Sequence, residues 1–158
     1  MVQGKFNIRV YGILVNQYQQ VLVSDELIRG NYFTKFPGGG LEFGEGTRDC
    51  LQREFLEETG LTVNVDAHIY TTDFFQISAF NNSDQIISIY YFVSADAVAL
   101  EQLRTSNKPF AFSAAQKADI QGQYESFRWI DASDFQPAAL SLPIDKIVVD
   151  EVRKQLQW

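Results

Sequence analysis

Apolar and β-branched residues cluster early in the chain, at positions 8–15 and again at 21–23, with the polar stretch 16–20 between them. Such runs, bounded by turn-forming residues, predict two strands joined by a turn. Residues 32–36 predict a short strand that ends at Pro37, which has no N–H to offer a ladder. Residues 61–77 and 85–93 predict two longer strands around a turn at Asn81, Asn82 and Ser83, and residues 126–130 return to strand. Elsewhere the period changes from two to about 3.6. Leu51 and Phe55 lie four apart and mark the inner face of a helix, with Thr47 placed to cap its start and Gly60 to stop it. Ile144, Val148, Val152 and Leu156 form an i, i+4 stripe on a C-terminal helix. Residues 104–124 are polar and aperiodic, which predicts a long loop or a partly helical excursion. Strands interleaved with helices define an α/β class with a mixed sheet between helices.

Size and composition narrow this picture. A chain of 158 residues with 46% hydrophobic content is most simply one domain, residues 1–158, able to bury a core without staples. Cys50 is its single cysteine, so no internal disulfide forms, which suits a reducing, cytoplasmic setting. Residues 1–10 lack a secretory pattern, and no apolar run approaches the length of about 18 residues that spans a membrane. The net charge of −7 argues against general nucleic-acid binding, which needs a basic surface.

The chemistry concentrates in GGLEFGEGTRDCLQREFLEETGL, residues 39–61. Glu54, Glu57 and Glu58 fall behind Arg53 on the predicted helix. Residues spaced i, i+3 and i+4 share a helix face, so these carboxylates repel one another unless a cation sits among them. Hard divalent cations take carboxylate oxygens and share their remaining positions with substrate phosphates. A carboxylate face of this kind therefore points to metal-assisted chemistry at phosphorus, and a metal also reconciles an acidic protein with an anionic substrate.

This stretch resembles the Nudix box, G-x5-E-x7-R-E-U-x-E-E-x-G-U with U a bulky apolar residue. Gly39, Glu45, Arg53, Glu54, Phe55, Glu57, Glu58, Gly60 and Leu61 fill every specified slot. The resemblance implies an α/β/α sandwich with a mixed central sheet and the box as loop–helix–loop. It implies a Mg²⁺-dependent pyrophosphohydrolase, with Mn²⁺ as a substitute, that cleaves a nucleoside diphosphate linked to another moiety. That moiety would make the substrate a nucleoside triphosphate, a sugar nucleotide or an ADP-ribose. By the same resemblance Glu54 and Glu58 are metal ligands, joined at some sites by Glu57, with the Gly38 carbonyl completing the shell. Gly39 and Glu45 are supporting residues. Arg53 belongs with the catalytic residues through the carboxylate it orients, either aiming Glu58 or bracing Glu45. The general base is Glu54 or Glu57 within the box, or Glu125 outside it, where the plain alternative is a surface carboxylate at a strand edge. Asp119 is a weaker candidate from the same loop. A homodimer is open, as several relatives pair.

Other signals are weaker. His68, the only histidine, reads as structural amid strand residues. Cys50 lacks a basic partner to make it a nucleophile. The glycine run has no Gly-Lys-Ser/Thr ending and is not a P-loop. Phe110 and Phe112 are the candidates for stacking a base. Thr34 stands where relatives often carry Trp, and Lys35 beside it reads as decoration of an exposed strand face rather than a phosphate contact. Two other functions compete. A nucleotide-sensing or protein-interaction module on the same fold would leave the carboxylate repulsion unrelieved. An isoprenoid diphosphate isomerase needs a cysteine acid on a different loop from Cys50.

Overall fold

The computed structural model describes residues 3–158. Strand β1 (Lys5–Leu14) is the spine, paired in parallel with β6 (Asp84–Ser94) from Lys5 opposite Asp84 to Leu14 opposite Val93. Strand β4 (Gly38–Gly40) lies antiparallel on its other side, and β5 (Asn64–Thr71) lies antiparallel to β6, giving the order β4-β1-β6-β5. A second, antiparallel sheet contains β2 (Gln20–Ile28), β3 (Asn31–Lys35) and β7 (Gln123–Asp131) in the order β3-β2-β7. The two sheets are linked at the turn, where Val15 and Val21 form an isolated bridge.

Side chains alternate across a strand, and β1 uses both faces. Val10 and Leu14 pack with Cys50, Leu51 and Phe55 of helix α1 (Thr47–Thr59). Tyr11 and Ile13 pack with Ile144, Val148 and Val152 of helix α4 (Pro143–Leu156). The chain is therefore a mixed α/β sandwich, as the alternation of strands and helices predicts. The apolar stripes anticipated on α1 and α4 are the faces that are buried, except that Leu156 is only half-buried. Gly60 stops α1 in a left-handed conformation (φ 75°), its N–H donating to the Leu56 carbonyl. The polar segment 104–124 is an excursion holding one short helix, α3 (Ala114–Ala118), capped by Ser113.

The mixed sheet foreseen is present as β4-β1-β6-β5 and is joined by a second sheet, because the chain turns a corner between β1 and β2. Two expectations change. The strand foreseen over 61–77 is only Asn64–Thr71, with register shifts around His68, because Thr72 then satisfies the ladder through its side chain. Thr72 Oγ1 donates to the Ser88 carbonyl and accepts from the Ser88 N–H. Thr47 is the first helical residue rather than the cap. The cap is Gly46, whose N–H donates to the Asp49 carboxylate, while the Thr47 hydroxyl pairs with Tyr91 Oη at 2.8 Å. Helix α2 (Ala97–Gln102), started by the Asp96 side chain, was not foreseen at all. Among the described residues no helix is long and apolar enough to cross a membrane.

Asp145 at the start of α4 is fully buried and accepts a hydrogen bond from Tyr90 Oη at 2.6 Å, while its Oδ2 has no partner. Burial pushes its pKa from 3.8 up to about 6, against the Tyr90 hydrogen bond and the Lys35 charge. The folded state then holds a proton that the unfolded state has released, so stability falls as pH rises from about 4 to about 6. We expect the melting temperature of Asp145→Asn to gain on wild type across that window and to run parallel to it above. A gap that stays constant from pH 4 to pH 7 would contradict this.

Candidate active site

Helix α1 carries its charged residues opposite the buried Leu51 and Phe55, and Arg53 organises them. Its guanidinium grips Glu45 with two bonds, from Nε at 3.0 Å and Nη2 at 2.7 Å. Nη1 donates to Glu54 at 2.9 Å and Glu57 at 3.3 Å, and Nη2 also reaches the Gly40 carbonyl at 3.2 Å. Hydrogen bonding to Arg53 and to backbone holds the Glu45 carboxyl at about 2. Of the two alternatives for Arg53, it braces Glu45 and does not touch Glu58.

Strand β4 forms the floor beneath Glu54. Gly38 has φ 144°, and a Cβ there would stand 2.1 Å from the Val10 carbonyl; one at Gly39 would stand 2.4 Å from the Glu54 carboxylate. Only glycine lets this backbone lie between β1 and Glu54. Glu58 points elsewhere. Its Oε2 is buried without a partner, and burial, with repulsion from Glu125 and then Glu54, pushes its pKa up to about 8. Glu125 lies on β7 opposite Glu26 of β2 and accepts from Ser24 Oγ at 2.9 Å. Burial raises it to about 7, against the Ser24 hydrogen bond and with repulsion from Glu26. Glu125 is thus a solvent-exposed residue whose carboxylate is bonded to Ser24 and lies near enough to Glu58 to repel it.

A cleft of ≈ 840 Å³ runs past Gly38, Gly39, Glu54 and Glu58 to Arg9, Lys35 and Phe80. A second, of ≈ 1210 Å³, is lined by Glu58, Glu125, Phe112 and Arg104, so Glu58 separates the two. Among the described residues no three His, Cys, Asp or Glu side chains are gathered as a ready cation shell. Two of the expected ligands, Glu54 and Glu57, are turned onto Arg53 instead.

Other expectations are corrected here. Lys35 is not on an exposed face: it is 6% exposed, pairs with Glu26 at 2.8 Å and lies near the Phe80 ring. Burial would lower its pKa, yet the neighbouring Tyr11 and Glu26 outweigh this and keep it charged. Thr34, in the slot where relatives often carry Trp, is buried and donates to Asp25 at 2.7 Å. Phe112 is buried, and the half-buried Phe110 makes a T-shaped contact with Tyr32. Asp119 accepts from Tyr124 Oη at 2.7 Å and serves its own loop. His68 bonds Thr71 and packs on Tyr91, as a structural residue would. Sequence reasoning missed Arg9, Glu26 and the buried Asp25–Arg128 pair, which meets at 2.6 Å. The one visible signal was Asp25-Glu26 inside an otherwise apolar strand.

Comparison with known proteins places the chain in a family. Residues 5–149 match the family model described as NUDIX domain, and the chain belongs to that family. It is accordingly a hydrolase of pyrophosphate-type bonds. Among solved structures it resembles the MutT protein from Methanosarcina mazei Go1 at 16% identity, with 100% of each chain covered and a TM-score of 0.66. It also resembles a NUDIX hydrolase from Nitrosomonas europaea at 19% identity, covering 96% of this chain and 90% of that one, TM-score 0.66. A MutT NUDIX hydrolase from Burkholderia pseudomallei matches at 15% identity, covering 94% and 98%, TM-score 0.62. At such identities these likenesses speak for the fold.

Cys50 is buried, with its Sγ 3.5 Å from the Gly40 carbonyl oxygen. Burial, with Glu45 close by, pushes the thiol up to about 12. Since the thiolate is the reactive form, iodoacetamide at pH 8 should label the native protein at least about 10³-fold more slowly than the urea-unfolded chain. Comparable rates would show that α1 opens readily from β4.

Proposed function

We propose that the chain is a divalent-metal-dependent pyrophosphohydrolase acting on a nucleoside diphosphate linked to another moiety, and that Glu54 and Glu58 hold the metal. The observation that carries this reading is the half-buried Glu58, whose enclosed Oε2 lacks any partner among the described residues, beside Glu54 and Glu125. An enclosed carboxylate oxygen with no donor is costly, and a cation is the group that would satisfy it. The donor set fits Mg²⁺: these are hard oxygen ligands, supplemented by Glu57 and by the Gly38 backbone at the cleft floor. Mn²⁺ suits the same oxygens. When bound, such an ion supplies charge neutralisation at the phosphates and acidifies the attacking water.

The chain's own residues do the rest. Arg53 orients Glu54 and fixes Glu45, so the loop before α1 stays against the helix. Glu125, raised to about 7, sits near neutrality, where a group accepts a proton from water and releases it again. The glycines of β4 let a phosphate approach the backbone closely. A non-catalytic sensing module on this fold would have no use for an enclosed, unpaired carboxylate oxygen.

Glu54→Gln and Glu58→Gln should each lower the Mg²⁺-dependent rate by about 10³-fold. EDTA should abolish turnover of whichever nucleotide a substrate panel identifies. In EDTA Glu58→Gln should melt at or above the wild-type temperature, because it relieves repulsion from Glu125 and Glu54, whereas Glu54→Gln gives up its pair with Arg53 and should melt slightly lower. Variants that melt markedly lower, with a wild type inactive on the whole panel, would end the enzyme reading. Glu125→Gln should reduce kcat by about 10²-fold with the fold intact. Unchanged kinetics would shift the base into the box.

A further inference from the structure

The far end of the first cleft carries the opposite charge. Arg9 and Gly40 are partners in the β1–β4 ladder, and Arg9 Nη1 lies 3.6 Å from where a Gly40 Cβ would stand. The guanidinium is anchored by one bond only, Nε to Tyr11 Oη at 2.9 Å. Its two terminal nitrogens donate to nothing among the described residues, and Arg9 makes no ion pair there, although it is half-buried. An arginine held by Nε presents the flat end of its fork, the geometry that matches two oxygens of one phosphate. Lys35 lines the same cleft, near Tyr11, with Glu26 taking one of its donors. In a chain with a net charge of −7, placing two half-buried or buried cations in one cleft needs a reason.

Position supplies the reason. Gly39 lies under the Glu54 carboxylate and Gly40 beside the Arg9 fork. The acidic and cationic groups thus flank consecutive residues of β4, an edge strand, on its two faces, and both line the one cleft. Of the carboxylates lining the cleft, Glu26 pairs with Lys35, Asp145 bonds Tyr90 and Glu54 is held by Arg53, with Glu58 and Asp84 also present; none of them forms an ion pair with Arg9 among the described residues.

We propose that Arg9, seconded by Lys35, is the subsite for the second phosphate of the substrate, the one that leaves when its neighbour is attacked beside Glu54 and Glu58. This deepens the proposed function and rests on it for the identity of the reaction, though not for the anion site itself. In EDTA, anion affinity comes from the chain's own cations. Titration calorimetry with inorganic pyrophosphate in EDTA should show salt-sensitive binding to wild type that Arg9→Met weakens at least tenfold. The double variant Glu26→Gln/Lys35→Met, which avoids leaving either partner alone, should weaken it severalfold. Glu58→Gln, which removes no cation, should not weaken it. In Mg²⁺, Arg9→Met should raise KM for the hydrolysed nucleotide and Arg9→Lys should recover part of the loss. Absence of pyrophosphate binding to wild type, or equal binding and KM in a well-folded Arg9→Met, overturns the subsite while leaving Mg²⁺-dependent hydrolysis standing. A wild type that hydrolyses nothing, yet loses pyrophosphate with Arg9, keeps the subsite and overturns the hydrolase mechanism.

Discussion

The site depends on one guanidinium. Arg53 faces Glu45, Glu54 and Glu57, with Glu42 at 3.9 Å, and also holds the Gly40 carbonyl. Without a cation at that point, the charged face of α1 would be a set of mutually repelling carboxylates with no fixed orientation. With it, the loop before the helix, the helix and the edge strand β4 are joined at a single planar group. A lysine could supply the charge but not the fork. The same arrangement creates a remainder. Glu58 lies five residues on from Arg53, about 140° round the helix, and is the carboxylate of the cluster that Arg53 does not reach. Its Oε2 is enclosed, its pKa is pushed up to about 8, and when it ionises no group among the described residues bonds that oxygen.

That remainder and the cations of the first cleft are two sides of one division. Strand β1 separates them by alternation: Val10 goes under α1, while Arg9 and Tyr11 go to the opposite face. The glycines of β4 complete the division because they have no side chains to fill the space on either side. An acidic protein can in this way keep its carboxylates and its cleft cations apart. The overall charge decides the position of neither.

Local patterns made much of this legible. The stripes Leu51/Phe55 and Ile144/Val148/Val152 are short-range, so they named both helices and the faces they bury. The box residues were legible as a set for the same reason. What failed was non-local. Lys35 looked exposed because its strand gives no hint that Glu26 and Phe80 close over it. The second sheet follows from a corner at Val15 and Val21, which periodicity cannot distinguish from a hairpin. Phe110 and Phe112 looked available because aromatics in a polar loop often are, yet that loop folds back to bury Phe112. The choice of Arg53 between Glu45 and Glu58 was open in sequence, but helix geometry alone disfavours the latter.

Glu58 and Glu125 come from different layers, and their meeting needs a constraint that neither supplies. Glu58 is on α1, packed against the first sheet, whereas Glu125 is on β7 at the edge of the second. The second sheet is fixed by a buried charge. Asp25 on β2 accepts from Arg128 on β7 at 2.6 Å, from the Thr34 hydroxyl on β3 at 2.7 Å and from the Phe110 N–H at 3.2 Å. A buried pair of this kind adds little net stability, but leaving either partner alone costs about 3–5 kcal/mol. It therefore acts against slippage more than it adds to overall stability. A one-residue shift of β7 against β2 would turn Glu125 to the other face of its sheet and would also strand Arg128 from Asp25. Register and the placement of Glu125 are guarded by the same ion pair, so the second sheet can carry a carboxylate opposite Glu26 without losing its position.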